Sequence, residues 1–405
     1  MISHIYEINQ DVIFVPGAVH GAIYDFNSGK VYSVNDAACS IIHRYVEHST
    51  VPSDETYLTE LKRCFLISEN FIPRNFRLRK DKTIQLEMAW IEITQRCNLR
   101  CIHCYEGNVH VSSENSLSLA QWKKCIDQLA DLHIKRLIVI GGEPCCRKDL
   151  VDILEYASQY PMDITLFTNA TAFSERLVHC VVKHAIRVKI SMYGPSAEIH
   201  DKITNVSGSF KKTTEAVQAL VAQGVSVSAA VIVMKENEAY VDETMQYVRE
   251  LGMKCSRYDI IRNVHGGTQK LHAPTNKEVI QKVYLTKPNF KAKKEQFYHN
   301  YSRNSCWYGK ITIMENGDVI PCEFERNYRY GNILQDSLEE IIHNEKTMSK
   351  WFFDFSTIEG CKDCEFRFAC HDCRPLGLSV CGSMNTKNPR CCYDVYGGVW
   401  KLSEV

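Results

Sequence analysis

The chain has 405 residues, of which 45% are apolar and 24% are charged. This length accommodates about two or three domains, since one domain usually takes roughly 100 to 200 residues. Basic and acidic residues number 48 each, so no global charge favours nucleic acid or an anionic membrane. The apolar runs are shorter than the roughly 20 residues that span a bilayer, and the first residues lack the order of a signal peptide. We therefore expect a soluble, cytoplasmic protein that binds neither nucleic acid nor membrane.

Cysteine is the unusual component of this composition, with 19 residues. The cytosol keeps thiols reduced, so this number predicts metal binding rather than a disulfide framework. Three cysteines lie between Cys97 and Cys104, and nine lie between Cys306 and Cys392. Scattered cysteines in apolar contexts, such as Cys125 and Cys180, are expected to be small buried hydrophobes.

Residues 1–80 form the first predicted domain. The run "GAIYDFNSGKVYSVN", residues 21–35, has two alternating apolar strands around "NSGK" and predicts a β-hairpin. The following runs "DAACSIIHRYVEH" and "DETYLTELKRCFLI" carry apolar residues at helical spacing. A basic, polar stretch at residues 73–82 is typical of a linker.

From about residue 86 the pattern changes to strands alternating with helices. Such alternation predicts a parallel sheet covered by helices, with ligands at the carboxyl ends of the strands. Six units indicate an α/β fold, a partial (β/α)6 TIM-type barrel over residues 86–275. The six strand candidates are "LEMAWIEIT", "KRLIVIGG", "MDITLFTN", "IRVKISMYG", "VSVSAAVIV" and "KCSRYDII".

Three thiols, Cys97, Cys101 and Cys104, lie in the loop after the first of these strands. Structural zinc usually takes four ligands from paired short motifs. A 4Fe-4S cluster held by three cysteines would instead leave one iron open to a small molecule. On spacing alone, a metal site and a chance grouping both remain open.

Polar groups also end the next three strands. The run "GGEPCCRKD" begins at Gly141, where glycines allow close backbone approach and Glu143 offers an acceptor for a ligand ammonium. The third strand ends in Thr168 and Asn169, and the fourth carries Ser191 near its end. In this order, the motifs resemble those of the radical S-adenosylmethionine (SAM) enzymes, whose signature is C-x3-C-x2-C followed by a GGEP-type turn.

This resemblance implies a 4Fe-4S cluster on Cys97, Cys101 and Cys104, with SAM filling the open iron. One electron from a reductant such as flavodoxin or ferredoxin would cleave SAM to a 5′-deoxyadenosyl radical, which abstracts a substrate hydrogen. Related enzymes often carry an arginine for the SAM carboxylate where this chain has Ile203 and Thr204. The positions implied to contact SAM are His103, Gly141, Gly142, Glu143, Asn169 and Ser191.

The remaining region, residues 276–405, is organised by cysteine. By spacing alone, its two C-x2-C pairs favour one zinc ribbon. With the upstream motifs, the array resembles the SPASM extension, which holds two auxiliary 4Fe-4S clusters in enzymes that modify peptides and proteins. One implied ligand set is Cys361, Cys364, Cys370 and Cys391, and the other is Cys306, Cys322 and Cys373.

The match is imperfect, since "CHDC" is one residue shorter than the family's usual last pair, and no cysteine shortly precedes Cys306. The second cluster then either keeps an iron open for a substrate thiolate, which we favour, or recruits Cys381 or Cys392. Glu323 occupies the place of a carboxylate base in related sulfatase-maturing enzymes, which makes it a candidate base.

The first segment resembles the small winged-helix domain that recognises precursor peptides. A DNA-binding winged helix is the alternative, but the helix "DAACSIIHRYVEH" is nearly neutral. A peptide leader would instead add a strand to an exposed sheet edge. We therefore predict a leader-guided radical SAM peptide maturase that installs a thioether cross-link. The alternatives are carbon–carbon cross-linking, oxidation of a sulfatase serine or cysteine, and a zinc-binding regulatory protein with a winged helix.

Overall fold

The structure is a computed structural model that describes residues 4–48, 55–105, 116–262, 264, 271–284 and 290–401. Its contacts divide the chain into two compact units. Unit one comprises Met1–Thr83, Tyr284–Cys306 and Phe352–Val405, and unit two comprises Ile84–Val283 and Trp307–Trp351. The predicted domain limits, 1–80, 86–275 and 276–405, stay predictions.

The helices and strands are numbered in chain order. The strands are β1 Tyr6–Asn9, β2 Val12–Pro16, β3 Gly21–Asp25, β4 Lys30–Val34, β5 Arg74–Asn75, β6 Met88–Glu92, β7 Arg136–Ile140, β8 Asp163–Thr168, β9 Arg187–Met192, β10 Val227–Val233, β11 Asp259–Ile260, β12 Lys310–Ile313, β13 Asp318–Ile320, β14 Gly331–Asn332, β15 Tyr393–Asp394 and β16 Val399–Trp400. The helices are α1 Asp36–His48, α2 Glu55–Arg63, α3 Leu119–Asp131, α4 Leu150–Ala157, α5 Glu175–Lys183, α6 Ala197–Thr204, α7 Ser209–Ala222, α8 Val241–Glu250, α9 Lys277–Gln281, α10 Lys294–Ser302, α11 Leu338–His343, α12 Glu345–Trp351 and α13 Arg374–Cys381.

Unit one contains an antiparallel sheet in the order β4-β3-β2-β1-β5. The predicted hairpin is confirmed, because β3 pairs with β4 from Gly21 opposite Val34 to Asp25 opposite Lys30. The two helical runs also form, as α1 and α2. A winged-helix assignment stays a prediction.

Strand β2 is buried along its whole length because the sheet of unit one is covered on both faces. Phe14 packs in a cluster with Ile42 of α1 and Leu58 of α2. Its neighbour Ile13 points to the opposite face and packs in a cluster with Phe297 of α10 and Phe366. The C-terminal residues of this unit therefore complete its hydrophobic core.

Unit two is built on a sheet in the order β11-β10-β9-β8-β7-β6-β12-β13-β14. Strands β6 to β11 are parallel neighbours and confirm the six predicted strands. Strand β12 adds a further parallel neighbour to β6, and β13 and β14 follow in antiparallel order. The sequence analysis did not predict these last three strands, which are two to four residues long.

Helix α3 shows how local sequence places an element of unit two against its sheet. Ser118 and Gln121 form a capping box, in which each side chain bonds the other residue's backbone N–H. Trp122, Cys125 and Leu129 then repeat at helical spacing and are buried on one face.

Within the described residues, no helix is both long enough and apolar enough to cross a membrane.

Candidate active site

The predicted site residues of unit two follow successive strands of its parallel sheet. Cys97 lies after β6, Gly141 directly follows β7, and Asn169 directly follows β8. Ser191 is the last residue but one of β9. Because the carboxyl ends of neighbouring parallel strands meet at the same edge of a sheet, these residues converge on one site.

Backbone hydrogen bonds from α6 hold the cysteine loop in place. The N–H of Arg100 donates to the carbonyl of Thr204, and the N–H of Ile102 donates to the carbonyl of Ile203, both at 3.0 Å. Ile203 and Thr204 are the positions at which an arginine was expected for SAM. In this chain their backbone supports the loop that carries Cys101.

The turn after β7 packs directly against the segment that leads into Cys97. The N–H of Gly142 donates to the carbonyl of Thr94, and the N–H of Glu143 donates to the carbonyl of Arg96, both at 2.7 Å. A Cβ on Gly141 would lie 2.5 Å from the Thr94 carbonyl oxygen, which is too close for any side chain. Glycine is therefore required there for the two backbones to approach.

The Glu143 carboxylate accepts hydrogen bonds from backbone N–H groups and from a neighbouring side chain. It is buried, and it accepts hydrogen bonds from Thr168 Oγ1 at 2.6 Å, Asn169 N at 2.6 Å and Cys145 N at 3.0 Å. Burial raises the pKa of Glu143, and these donors oppose the rise. Glu143 thus joins the turn after β7 to the end of β8; its contact with SAM stays a prediction.

The chemistry of the three thiols fits an iron-sulfur cluster. Burial raises the pKa of Cys97 to about 12, and the charges of Glu143 and the nearby Cys104 add to the rise. Burial also raises the pKa of Cys101, followed by the charges of Cys104 and Cys97. Thiols grouped in this way need a strong positive charge to become thiolates, and iron ions supply one.

His103 lies between the second and third thiols and is half-buried against an aromatic ring. Its ring meets the Tyr193 ring edge-on at 4.8 Å, and its Nδ1 is buried with no hydrogen-bond partner in the described part of the chain. Burial lowers the pKa of His103 to about 4, and the charge of His272 contributes. The imidazole is therefore neutral, as the predicted position beside an adenine requires. The Ser191 side chain hydrogen-bonds Tyr193 and so joins the same group.

Charged side chains surround the candidate base Glu323 in unit two. Burial raises the pKa of Glu323, while the positive charges of Arg262 and Arg326 oppose the rise. Arg326 also forms a bidentate ion pair, at 2.7 and 2.9 Å, with the fully buried Glu92 of β6. A raised pKa suits a general base near neutral pH, but the role of Glu323 stays a prediction.

Unit one brings four of the C-terminal cysteines together. Burial raises the pKa of the Cys370 thiol, and the charges of Cys361, Cys391 and Cys364 raise it further. The same four residues form the first ligand set implied by the SPASM resemblance. The charge of Cys391 is among those that raise the pKa of Cys370, and the place of Cys391 in this ligand set stays a prediction.

Two members of the other implied set also belong to unit one. The Cys306 sulfur accepts a hydrogen bond of 3.4 Å from the N–H of Arg374, the residue directly after Cys373. Cys322 follows β13 in unit two, and its membership of this set stays a prediction. Of the cysteines considered as substitutes, Cys381 is exposed and Cys392 is half-buried.

Several supporting residues escaped the sequence analysis. The fully buried Glu315 accepts a hydrogen bond of 2.7 Å from the N–H of Gln95. Arg147 donates to the carbonyls of Ile93 and Leu117 at 2.8 Å. Both residues hold the chain around the cysteine loop. A charged residue next to an apolar run is the only local signal they give.

Two protein families match this chain. Residues 91–248 match the Radical SAM superfamily, and residues 306–365 match the SPASM iron-sulfur cluster-binding domain. Solved structures with the same fold include Streptococcus suis SuiB bound to S-adenosylmethionine, with a TM-score of 0.57, 14% identity and coverage of 95% of this chain and 99% of SuiB. Native anSMEcpe with bound AdoMet has a TM-score of 0.59, 16% identity and coverage of 78% of this chain and 95% of its own.

Curated relatives cover most of the chain. The subtilosin biosynthesis protein AlbA of Bacillus subtilis is 28% identical over 72% of this chain and 68% of its own length. An AdoMet-dependent heme synthase of Methanosarcina barkeri is 26% identical over 76% and 96%, and the mycofactocin maturase MftC of Mycobacterium tuberculosis is 25% identical over 70% and 76%. The chain is a radical SAM enzyme that carries an iron-sulfur cluster-binding SPASM domain.

Proposed function

We propose that this enzyme modifies a ribosomally made precursor peptide in the cytoplasm and installs a thioether cross-link. The names of several relatives support a peptide substrate: a bacteriocin biosynthesis protein, a mycofactocin maturase and a PqqA peptide cyclase of Rhizobium meliloti, which is 22% identical. The chain also matches, by fold alone, a SuiB structure bound to the precursor peptide SuiA.

When bound, the first cluster and SAM supply a 5′-deoxyadenosyl radical that abstracts a hydrogen atom from the substrate. The chain's own residues hold and orient these groups. Cys97, Cys101 and Cys104 are the proposed ligands, and the carbonyls of Ile203 and Thr204 accept the backbone hydrogen bonds that hold their loop. His103 is proposed to flank the adenine, since its ring is neutral and its Nδ1 is buried.

The observation that carries the peptide assignment is the exposed edge strand β4 of unit one. Its residues Lys30 and Ser33 are exposed, and it ends the five-stranded sheet. A short segment already pairs with the start of this edge: the N–H of Ala292 donates to the carbonyl of Gly29 at 3.0 Å. The edge therefore accepts an added strand, which is how an extended peptide gains main-chain hydrogen bonds.

The register identifies which backbone groups of β4 face the added strand. Alternate residues of an antiparallel strand direct their backbone groups to the same side. Gly29 faces away from β3, so Ser33, four residues later, also presents its N–H and carbonyl at the open edge. Proline is tolerated at such edge positions because it removes only an outward N–H.

Forming the proposed thioether is a two-electron oxidation of the peptide. A carbon–hydrogen and a sulfur–hydrogen bond break, and one carbon–sulfur bond forms. The radical takes one hydrogen atom, and one proton and one electron remain to be removed from the peptide. An oxidised auxiliary cluster is a suitable electron acceptor, and the raised pKa of Glu323 suits it to take the proton.

The test uses the anaerobically reconstituted full chain with SAM, dithionite or flavodoxin, and a cysteine-containing precursor peptide. We expect mass spectrometry to show a peptide that has lost two hydrogen atoms and that no longer reacts with iodoacetamide at one cysteine. An unchanged thiol count would favour a carbon–carbon cross-link instead. No modified peptide, despite 5′-deoxyadenosine formation, would contradict the proposal.

The edge is tested by a matched pair of variants, Ser33→Pro and Ser33→Ala. Proline removes the outward N–H, whereas alanine keeps it. We expect Ser33→Pro to lower peptide affinity at least tenfold, roughly 1.4 kcal/mol, while SAM cleavage without peptide is unchanged in both. Equal peptide affinity in the two variants would overturn leader binding at β4.

A further inference from the structure

A cluster of potential metal ligands lies on two helices of unit two, away from the cysteine loop. Glu155 belongs to α4, Cys180 belongs to α5, and His184 directly follows α5. One ligand atom from each residue lies within 4.8 Å of the others. Cys180 is fully buried, and the other two side chains are half-buried.

The two helices present these residues to one another for local reasons. Cys180 and His184 are four residues apart, so they share one face of the helix. The N–H of His184 donates to the carbonyl of Cys180 at 3.1 Å and keeps the last turn closed. One turn earlier on each helix, Arg176 and Asp152 form an ion pair of 2.7 Å between α5 and α4. This pair fixes the helices in the register that brings Glu155 to Cys180.

His184 gives a second and independent indication of a ligand. Its Nε2 is buried and has no hydrogen-bond partner among the described residues. A buried nitrogen without a hydrogen-bond partner is unfavourable. A metal ion at the cluster would satisfy a nitrogen of this kind.

We propose that Glu155, Cys180 and His184 bind one zinc ion, with water as the fourth ligand. A thiolate, an imidazole and a carboxylate are the donors that zinc takes in proteins, and zinc binds such donors more tightly than ferrous iron does. Zinc bonds of about 2.0 to 2.3 Å require ligand atoms roughly 3.5 Å apart. The three ligand atoms lie no more than 4.8 Å apart, so the side chains would have to draw together on binding the ion.

The ion would join α4 to α5. Helix α4 follows the turn that carries Glu143, and α5 follows the loop that carries Asn169. The zinc site would therefore stabilise the two helices behind this part of the SAM site. None of the three ligands lies in the loops that carry the cysteines of the first cluster, so the ion would act on the packing of α4 and α5 and take no direct part in SAM cleavage.

The test measures metal content of the full chain, reconstituted anaerobically so that iron occupies the cluster sites, then dialysed against zinc and washed. The variants are Cys180→Ala, His184→Ala and Glu155→Gln, and the matched control is Cys125→Ala, another fully buried helical cysteine. Iron and sulfide are measured in every sample, so that a folding defect or an empty cluster is detected. His184→Ala and Glu155→Gln change half-buried positions and keep the test valid if Cys180→Ala misfolds.

We expect the wild type and Cys125→Ala to retain about one zinc more than the three ligand variants, with equal iron in all. X-ray absorption at the zinc edge, which iron does not obscure, should show one sulfur near 2.3 Å and nitrogen or oxygen near 2.0 Å. Equal zinc in the wild type and the ligand variants would overturn the proposal. A zinc ion surrounded by four sulfurs would do so as well, since it would lie in the cysteine array.

Discussion

The carboxylate of Glu143 accepts a hydrogen bond of 2.6 Å from the backbone N–H of Asn169. This bond joins the ends of neighbouring strands β7 and β8, and the same carboxylate accepts from Thr168 Oγ1. Glu143 and Asn169, which the sequence analysis predicted as two separate SAM contacts, are thus joined by a hydrogen bond into one unit. A change at Glu143 is expected to move both strand ends.

Replacement of Glu143 by glutamine is the direct test of this unit. Glutamine has the same size, but its amide NH2 replaces one of the two carboxylate oxygens that accept hydrogen bonds. One of the buried donors around residue 143 then loses its acceptor, which costs about 1 to 3 kcal/mol of stability. We expect 5′-deoxyadenosine formation to fall about tenfold or more, with iron content unchanged. The control is Glu198→Gln on the exposed surface of α6. Wild-type rates in Glu143→Gln would show that the unit does not position SAM.

A second prediction concerns the close backbone approach at Gly142. A Cβ there would lie 2.7 Å from the carbonyl oxygen of Arg96, the residue before Cys97. Gly142→Ala must therefore displace the cysteine loop, and we expect iron content to fall by about four atoms, one cubane. The matched control is Gly377→Ala in α13, where a Cβ meets only atoms at 3.5 Å or more. Full iron content in Gly142→Ala would mean that the loop tolerates the shift.

Sequence periodicity was sufficient for strands β6 to β10 because each has five to seven residues with a clear pattern of burial. Strand β11 has only two residues and forms within the longer predicted run "KCSRYDII". Periodicity was also sufficient for the hairpin of β3 and β4, where strand alternation surrounds a turn of suitable residues. The short strands β12 to β14 carry too few residues for any period. They form because β6 offers an edge that only the folded sheet creates.

The supporting contacts of the site could not be predicted, because they join residues far apart in the chain. Glu315 bonds Gln95 across 220 residues, and Thr204 supports Arg100 through a backbone carbonyl that any residue type possesses. Cys180 is buried, as its apolar context predicted, but its proximity to Glu155 on another helix leaves no signal in the local sequence. Local patterns indicate the cysteines, and only tertiary packing shows what holds them.

The cluster assignment gives a third prediction. Replacing Cys97, Cys101 and Cys104 together by alanine should lower iron from about twelve to about eight atoms per chain, taking four per cubane. Formation of 5′-deoxyadenosine should be abolished, because the remaining clusters do not bind SAM. The paired control is Cys125→Ala, a buried cysteine on α3. Zinc in place of iron in the wild type would contradict the radical SAM assignment of this site.

Arg374 organises the cysteines of unit one and gives a fourth prediction. Its guanidinium is fully buried, pairs with Asp372, and donates to the carbonyls of Met384 and Thr386 at 2.6 and 2.8 Å. It thereby ties the segment before Cys373 to the loop that leads to Cys391. Breaking a buried ion pair by removing one partner costs about 3 to 5 kcal/mol.

We therefore expect Arg374→Ala to lower the melting temperature and to lose auxiliary iron, while SAM cleavage at the first cluster is retained. Arg374→Lys should have a melting temperature and an iron content between those of the wild type and Arg374→Ala. Lysine keeps the positive charge, but it cannot make all the hydrogen bonds of a guanidinium. The control, Lys362→Ala, changes an exposed cation of the same segment. If Arg374→Ala kept all its iron and its melting temperature, the guanidinium would not organise this region.

The buried His200 predicts how stability depends on pH. Burial lowers its pKa to about 4, partly opposed by the charge of Asp201, and its Nδ1 accepts from the N–H of Tyr193. The pKa of His200 in the folded protein lies below its value of about 6.5 in the unfolded chain. The stability that the neutral side chain contributes is therefore complete above pH 6.5 and is lost as the pH falls toward 4. By about pH 5.5 the free energy of unfolding has fallen by about 1.4 kcal/mol through this group.

The measurement is the melting temperature under anaerobic conditions at about pH 7.5 and pH 5.5. Between these pH values the melting temperature of His200→Asn should fall by about 3 °C less than that of the wild type. The exposed His179→Asn should behave like the wild type, and an unchanged decrease in His200→Asn would show that His200 does not titrate in this range.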